Sequence, residues 1–277
     1  MGGMSEMWNS VAPGWEANAE FVDEHLAAST DALLDAAGIA EGDAVLELAA
    51  GPGGAGLRAA QRVGRKGSVV MSDDAPEMVA VAARRASGYP QVSTAVFDQS
   101  AILAEDGRFD AVISRHGLMF AEDPAGAVRE AARVLRRGGG FAAMTWGPRS
   151  MNPWLGVVLD AVGEQFGVPF PPPNIRGPFS LDDPALLTSV LDDGGLTDVR
   201  VLAVETPMHA ESVEAWWERV PQLAGPLATA LAAMEPDIRE QIAQRAINTG
   251  AQASRSEGGH IIFQGSVLIA SGHAPQH

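Results

Sequence analysis

A short apolar run that leads into a glycine-rich turn and then a helix constrains this chain most strongly. The run Ala44–Leu48 is typical of a buried strand, and it continues as Ala-Ala-Gly-Pro-Gly-Gly-Ala-Gly. Gly51 and Gly53 let the backbone turn sharply and approach a ligand more closely than a side chain would permit. The following helix presents free N–H groups at its first turn, which favour an anionic group. The segment therefore predicts a ligand-binding turn after the first strand.

Strand-like and helix-like segments alternate from residue 44 to residue 146. The strand-like segments are Ala44–Ala49, Ser68–Ser72, Gln91–Val96, Phe109–Ser114 and Gly140–Trp146. The helix-like segments between them are Gly54–Arg62, Pro76–Ala86 and Asp123–Leu135, the last beginning with an Asp-Pro cap. This alternation is typical of a parallel sheet with helices on both of its faces.

The segments outside this region extend the same pattern. A helix is expected at Glu20–Ala37 and a proline-rich break at Val168–Pro178. Beyond the break, the sequence predicts a helix at Leu181–Asp193, a strand at Asp198–Thr206, a mostly helical stretch at Glu211–Thr249 and a last strand at Ile261–Ala270.

Together these segments predict an α/β fold with a doubly wound, mostly parallel seven-stranded sheet. We expect a helical cap at residues 1–40, an α/β core at residues 41–150, and the remainder of the sheet at residues 151–277. Because the helical stretch at about 211–250 lies between late strands, we expect it to form a cover inserted before the last strand.

Composition narrows the range of partners. With 19 Lys and Arg against 35 Asp and Glu, the formal net charge is −16, so neither nucleic acid nor a membrane surface is expected as a partner. The chain has no Cys, which excludes disulfides and thiolate metal sites, and its His spacing does not favour a metal site. The first residues lack the features of a signal peptide, so we expect a cytoplasmic location.

Three acidic residues stand at the ends of neighbouring strands. Glu47 lies near the end of the first strand, Asp73 ends the second, and Asp98 follows the third. Open α/β sheets bind ligands at this carboxyl edge, and an acid after the second strand accepts hydrogen bonds from ribose hydroxyls. Asp73 could instead cap the helix that begins at Pro76. Asp74, which lies closer to that helix, is a second candidate for the cap.

The segment Glu47–Gly53 resembles the acid-x-Gly-x-Gly-x-Gly signature of the class I S-adenosylmethionine-dependent methyltransferases, with Ala49 in place of the first glycine. Later segments are similar to further motifs of that family, in the same order and spacing: Gly67–Asp73 with Pro76–Met78, Gly107–Ser114 and Ala131–Gly140. The resemblance covers about residues 40 to 150 and implies the Rossmann-like fold of those enzymes.

The resemblance also implies S-adenosylmethionine as cofactor. By analogy, Glu47 and the glycine turn would hold the methionine part, and Asp73 would hold the ribose. Met78 would lie against the adenine face, and Asp98 would accept from the adenine amine. The cofactor-binding residues implied are Glu47, Ala49, Gly51, Gly53, Asp73, Asp74, Met78, Asp98, Gln99, Ser114 and Trp15.

The implied reaction is methyl transfer to O, N or C of a small, partly apolar molecule. His116, which leaves the fourth strand, is the candidate catalytic base, because imidazole titrates near neutral pH; alternatively it only shapes the pocket. His25 and His209 are expected at the surface. Trp15, together with Trp8, either stacks over the cofactor or the substrate or anchors the N-terminal helix to the core. Whether the chain forms a homodimer is left open.

Two alternatives remain from the sequence. A nicotinamide-dependent oxidoreductase shares the Gly-x-Gly-x-x-Gly pattern and the ribose acid, but a Tyr-x-x-x-Lys pair is absent because Tyr89 and Lys66 are the only Tyr and Lys. The other alternative is a protein that binds S-adenosylmethionine without transferring its methyl group.

Overall fold

The computed structural model describes residues 4–173 and 175–276. The helices are α1 (Met4–Ala17), α2 (Ala19–His25), α3 (Ala27–Ala36), α4 (Gly54–Val63), α5 (Pro76–Arg85), α6 (Pro124–Val134), α7 (Pro153–Phe166), α8 (Pro184–Asp193), α9 (Val213–Leu223), α10 (Pro226–Ala232) and α11 (Pro236–Ala253). The strands are β1 (Ala44–Leu48), β2 (Ser68–Asp73), β3 (Val92–Val96), β4 (Phe109–Arg115), β5 (Leu135–Trp146), β6 (Thr197–Glu205), β7 (Met208–Ala210), β8 (Arg255–Glu257), β9 (His260–Phe263) and β10 (Ser266–His273). The first three residues of the expected cap, Asn174 of the expected break and the C-terminal His277 lie outside the described residues.

A seven-stranded sheet forms the centre of the fold, in the order β3-β2-β1-β4-β5-β10-β6. Strands β1 to β5 pair in parallel, and β10 is antiparallel to both of its neighbours. This arrangement confirms the predicted doubly wound, mostly parallel sheet. Since β1 lies between β2 and β4, the strand order reverses at β1, and such a switch point opens a crevice at the carboxyl ends of the strands. The division at residues 40 and 150 stays a prediction.

Helices cover both faces of this sheet. On one face α6 and α8 bury Val128, Leu187 and Leu191 completely against the strands. On the other face α3 and α4 bury Leu33 and Ala59 in the same way. Side-chain caps mark the starts of α6, α8 and α9, because in each a side chain accepts an N–H that the first turn leaves free. The Asp-Pro pair before α6 is the clearest case, since the Asp carboxylate accepts from the N–H of the third helical residue.

The helical cover has its own core and a sheet that the sequence did not predict. Helices α7, α9 and α11 pack around Trp216 and Ile242, together with Phe263 of a three-stranded sheet in the order β7-β9-β8. No helix in the described part of the chain is both long enough and apolar enough to cross a membrane.

Strand β5 begins at Leu135 rather than at Gly140, and α8 begins at Pro184 rather than at Leu181; two further predicted elements are divided. The expected last strand, Ile261–Ala270, divides into β9 and β10 in different sheets, because the chain at Gly265 lies so close to Thr206 that a β-carbon would overlap its carbonyl. The expected helix Glu20–Ala37 is interrupted at Leu26, whose carbonyl accepts from both the Ser29 hydroxyl and a backbone N–H. Such side-chain bonds back to the preceding turn bend helices.

The first test of this packing concerns Gly140 in β5. A β-carbon at this position would overlap the carbonyl oxygen of Ala37, which is backbone and cannot move aside locally. We expect Gly140→Ala to lower the free energy of unfolding by about 1–3 kcal/mol, the usual cost of overpacking. Urea unfolding measures this change.

Gly88→Ala is the matched control, because no atom lies within 4 Å of a β-carbon built at that position. It should alter the free energy of unfolding by no more than about 0.5 kcal/mol. Equal losses in the two variants would contradict the packing argument.

Candidate active site

A cavity of about 420 Å³ opens at the carboxyl ends of β1, β2 and β4, within the size range of small-molecule sites. Its two ends differ in chemistry. We call "sheet end" the part formed after β1, β2 and β3, which includes Ala49–Pro52, Asp73, Asp74, Asp98 and Gln99. We call "cover end" the part formed by α2, α7, α9 and the ends of β4 and β5, which includes Phe21, His25, His116, Trp146, Trp154 and Leu155.

The glycine turn forms the floor of the sheet end. Ala49, Gly51 and Gly53 all have positive φ values, of 52°, 53° and 82°. A left-handed backbone is strained for alanine but not for glycine. The methyl group of Ala49 lies against Gly117, where a second β-carbon would overlap it, so the glycine after His116 makes room for the departure from the family signature.

Asp73 connects this turn to the next helix. One carboxylate oxygen accepts from the N–H of Gly51 at 2.8 Å, and the other accepts from the N–H of Ala75 at 3.0 Å. Asp74 makes no side-chain cap to α5; Asp73 accepts from the residue before the helix, and Asn9 of α1 accepts from the N–H of Glu77 in its first turn at 2.9 Å. Burial raises the pKa of Asp73 to about 6. Asp73 still faces the cavity.

The other acids of the sheet end also face the cavity. Asp98 accepts from the backbone N–H and the hydroxyl of Ser100, at 2.7 and 2.6 Å. Gln99 donates to the carbonyl of Gly117 at 3.3 Å, while its Oε1 has no partner. Burial raises the pKa of Asp74. This edge therefore presents acceptor oxygens to a ligand, and acceptors recognise hydroxyl and amine groups.

Glu47 takes a different position from the one that the resemblance implied. It is buried and does not line the cavity; its Oε2 accepts from the N–H of Gly56 at 2.9 Å, in the first turn of α4. The residue that caps α4 is Gly53, which has no side chain to satisfy this N–H, so Glu47 supplies the acceptor from below. Gly53 and Ser114 likewise do not line the cavity, although Ala49, Gly51, Met78 and Trp15 do.

His116 leaves β4 in a left-handed conformation, with φ of 58°, and its ring stacks on Trp146 at 3.9 Å. The expectation that His25 lies at the surface is wrong: His25 lines the cavity and its ring lies near Trp154. His209 is exposed, as expected. A sequence signal for His25 existed, since Val22, His25, Leu26 and Ser29 follow the i, i+3, i+4, i+7 pattern of one helix face.

Sequence analysis also missed a charged cluster beside the turn. Arg115 lines the cavity, and its side chain is only 7% exposed. It donates to Asp23 at 3.2 Å and to Thr30 at 3.1 Å, and Asp23 also pairs with Arg85. A β-carbon at Gly54 would overlap the Asp23 carboxylate, so the chain's own acid lies at the first turn of α4, where the sequence predicted an anionic group.

Unpaired polar atoms are concentrated at this cavity. Within the described ranges, the buried side-chain nitrogens and oxygens that lack a hydrogen-bond partner belong to Trp15, His25, Gln99, Ser114 and His116. All of these residues except Ser114 line the cavity. Because buried polar groups in native proteins are almost always paired, such a concentration indicates a site completed by a ligand.

Comparisons of sequence agree with this reading of the fold. Residues 45–139 match the family described as a methyltransferase domain. An uncharacterized protein of Mycobacterium tuberculosis is 36% identical over 131 residues, 47% of this chain and 47% of that protein. The ubiquinone/menaquinone biosynthesis C-methyltransferase of Francisella philomiragia is 30% identical over 126 residues, 44% of this chain and 50% of that enzyme. The chain spans about half the length of the curated relatives it matches.

Solved structures share the fold over most of the chain. The YcgJ protein of Bacillus subtilis has a TM-score of 0.58 at 17% identity, covering 90% of this chain and 99% of that chain. The cyclase SpnF has the same TM-score and identity, covering 98% and 97%. Residues 45–139 therefore match a methyltransferase domain, and the sheet order is that of the Rossmann-like methyltransferase fold. The resemblance is confirmed, and the oxidoreductase alternative gains no support.

Glu47 gives a test of the buried carboxyl beneath the turn. Burial raises the pKa of Glu47 from 4.5 to about 8. The native state therefore holds this proton more tightly than the unfolded chain, so the stabilising contribution is complete below pH 4.5 and is lost as the pH rises through 8. Glu47→Gln keeps an acceptor for Gly56 but cannot ionise. The variant should be more stable than the natural chain at alkaline pH, by about 1 kcal/mol or more, since one pKa unit corresponds to about 1.4 kcal/mol.

Urea unfolding at pH 5 and at pH 9 measures that difference, with Asp73 unchanged in both proteins. A stability difference that does not vary with pH would mean that Glu47 is ionised in the native state.

The contact between Ala49 and Gly117 gives a second test. Gly117→Ala alone should cost about 1–3 kcal/mol of stability, because two β-carbons would overlap. Adding Ala49→Gly should recover most of that loss and also relieve the left-handed strain. A double-mutant cycle by thermal unfolding measures the coupling; additive effects would show that the two residues do not compete for space.

Proposed function

We propose that this chain transfers the methyl group of S-adenosylmethionine to a small, partly apolar acceptor, and that the sheet end of the cavity binds the cofactor. The observation that carries the proposal is the set of unpaired buried polar atoms around one cavity at the switch point of a methyltransferase fold. Open α/β sheets bind their ligands at such a switch point.

The residues of the sheet end fit the adenosyl group. Each carboxylate oxygen of Asp73 accepts one backbone N–H, and a carboxylate has about four acceptor positions in all, so capacity remains for ribose hydroxyls. Asp98 and the unpaired Oε1 of Gln99 supply acceptors for an amine. Met78, which is 2% exposed, supplies an apolar face.

The methionine part would lie at the glycine turn. Arg115 faces the cavity beside that turn and suits a carboxylate, because guanidinium is always charged at neutral pH. Trp15 reaches the cavity from α1, with Nε1 buried and unpaired. In this assignment Glu47 and Gly53 support the turn from behind rather than touching the cofactor.

When bound, the cofactor supplies an activated methyl group, so the chain needs chiefly to align the acceptor and to exclude water. Trp146, Trp154 and Leu155 at the cover end form an apolar wall suited to both tasks. His116 shapes this wall by stacking on Trp146. Burial and the nearby Arg115 hold the pKa of His116 well below its usual value, which makes it a weak base at neutral pH.

A second function receives support from one comparison. SpnF, whose fold is similar over nearly the whole chain, is named as a cyclase. The fold alone therefore does not require methyl transfer. The alternative function is binding of S-adenosylmethionine without transfer of its methyl group. An assay that detects S-adenosylhomocysteine and a methylated product formed together separates the two functions.

Calorimetric titration tests the cofactor assignment directly. We expect S-adenosylmethionine and S-adenosylhomocysteine to bind and NAD not to bind. Asp73→Asn should weaken S-adenosylhomocysteine binding by roughly 10-fold or more, because hydrogen bonds to a charged group contribute about 1.5–3 kcal/mol. The fold of the variant is checked by urea unfolding.

Asp192→Asn removes an exposed carboxylate on α8 and serves as the matched control, with unchanged affinity expected. Binding of NAD with no response to either sulfur compound would overturn the proposal. Equal affinities of the natural chain and Asp73→Asn would remove Asp73 from the ribose site.

A further inference from the structure

The cover end of the cavity contains two histidines whose ring nitrogens have no partner. Nε2 of His25 and both ring nitrogens of His116 are buried without a hydrogen bond. Both residues line the cavity, from α2 and from the end of β4 respectively. Each unpaired nitrogen carries the cost of lost hydration, so a ligand that pairs with it gains that free energy on binding.

The two imidazoles are connected by an aromatic wall. His116 stacks on Trp146 at 3.9 Å, and Trp146 meets Trp154 edge to face at 4.9 Å. Trp154 in turn lies edge-on to His25 at 6.4 Å. The wall offers flat apolar surface with polar atoms at both ends, a combination that suits an aromatic compound with a polar substituent.

Charge narrows the class of substituent. Burial, His209 and Arg115 lower the pKa of His25 to about 4, and burial with Arg115 lowers that of His116, so both rings are neutral at pH 7. A neutral imidazole has one donor and one acceptor nitrogen. Among the described residues that line the cavity, Arg115 is the one cation; it shares Asp23 with Arg85 and, under the proposed function, pairs with the carboxylate of the cofactor. With the cofactor bound, the wall therefore supplies hydrogen bonds but no unbalanced charge for an anionic or cationic group.

We propose that the methyl acceptor is an uncharged hydroxylated aromatic compound, a phenol, whose ring lies against Trp146 and Trp154 and whose hydroxyl pairs with Nε2 of His25. This inference rests on the proposed function, because it assigns the cover end to the acceptor. A hydroxyl both donates and accepts, so it pairs with either tautomer of the ring. Hydrocarbon analogues of the same shape would leave Nε2 unpaired.

Binding of two probes to the protein saturated with S-adenosylhomocysteine tests the inference without any turnover. We expect 2-naphthol to bind at least about 10-fold more tightly than naphthalene, the ratio that corresponds to a hydrogen bond with an otherwise unpaired group. Ligand-observed NMR measures both affinities. In isotope-labelled protein, the imidazole nitrogen resonances of His25 should shift with 2-naphthol and not with naphthalene.

His25→Phe keeps a ring in the wall and removes the nitrogen. We expect this variant to bind both probes with similar affinities, while naphthalene binds as it does to the natural chain. His260→Phe is the matched control, because His260 is exposed on β9 and outside the cavity lining, and it should keep the preference for 2-naphthol.

Three results would overturn the inference: no preference in the natural chain, no binding of either probe, or a preference that survives in His25→Phe. The first two results are measured on the natural chain. The inference can therefore be overturned even if His25→Phe does not fold. Failure of the proposed function is seen separately: S-adenosylhomocysteine would not bind, whereas the probe preference, measured then on the protein without it, could persist.

Discussion

The carboxylate of Asp73 holds together the two chain segments from which the sheet end is built. Its oxygens order the left-handed turn at Gly51 and the residue before α5 at once. Both segments follow strands that are neighbours in the sheet, so one acid at the end of β2 reaches them both. Because these bonds use only part of the acceptor capacity of a carboxylate, the same group can order the site and bind a ligand.

Burial has one consistent electrostatic effect throughout the site. It raises the pKa values of Glu47 and Asp73 and lowers those of His25 and His116, because a low-polarity environment disfavours the charged form of either group. In the charged cluster beside the turn, opposite charges meet directly, because Asp23 pairs with both Arg115 and Arg85. A cavity of this kind suits a reaction whose activated group arrives with the cofactor, since water is excluded and few charges need to move.

The cover gives the cavity its other half. Helices α7 and α9 contribute Trp154 and Val220 to the cavity lining, and α2 contributes Phe21 and His25. The glycine turn lines the opposite part of the same cavity. The family match ends at residue 139, so most of the cover end comes from chain outside the shared domain. Under the proposed function, the family match therefore informs the fold and the cofactor site, whereas the choice of acceptor would depend on residues outside the matched domain.

By itself the sequence determined the sheet, the glycine turn and the acids at its edge. These rest on local signals: apolar runs of strand length, glycines where the backbone turns left-handed, and caps such as the Asp-Pro pair before α6. Asp73 and Asp98 were predicted in this way, because strand ends fix their place on the edge, whereas Met78 was predicted from the resemblance to the family. Only the tertiary structure decided that Glu47 turns away from the cavity, that His25 enters it, and that Ile261–Ala270 serves two sheets. Each of these depends on contacts with other segments, such as Gly56 for Glu47 and Trp154 for His25. The local pattern of hydrophobic residues does not indicate which other segment a residue will contact.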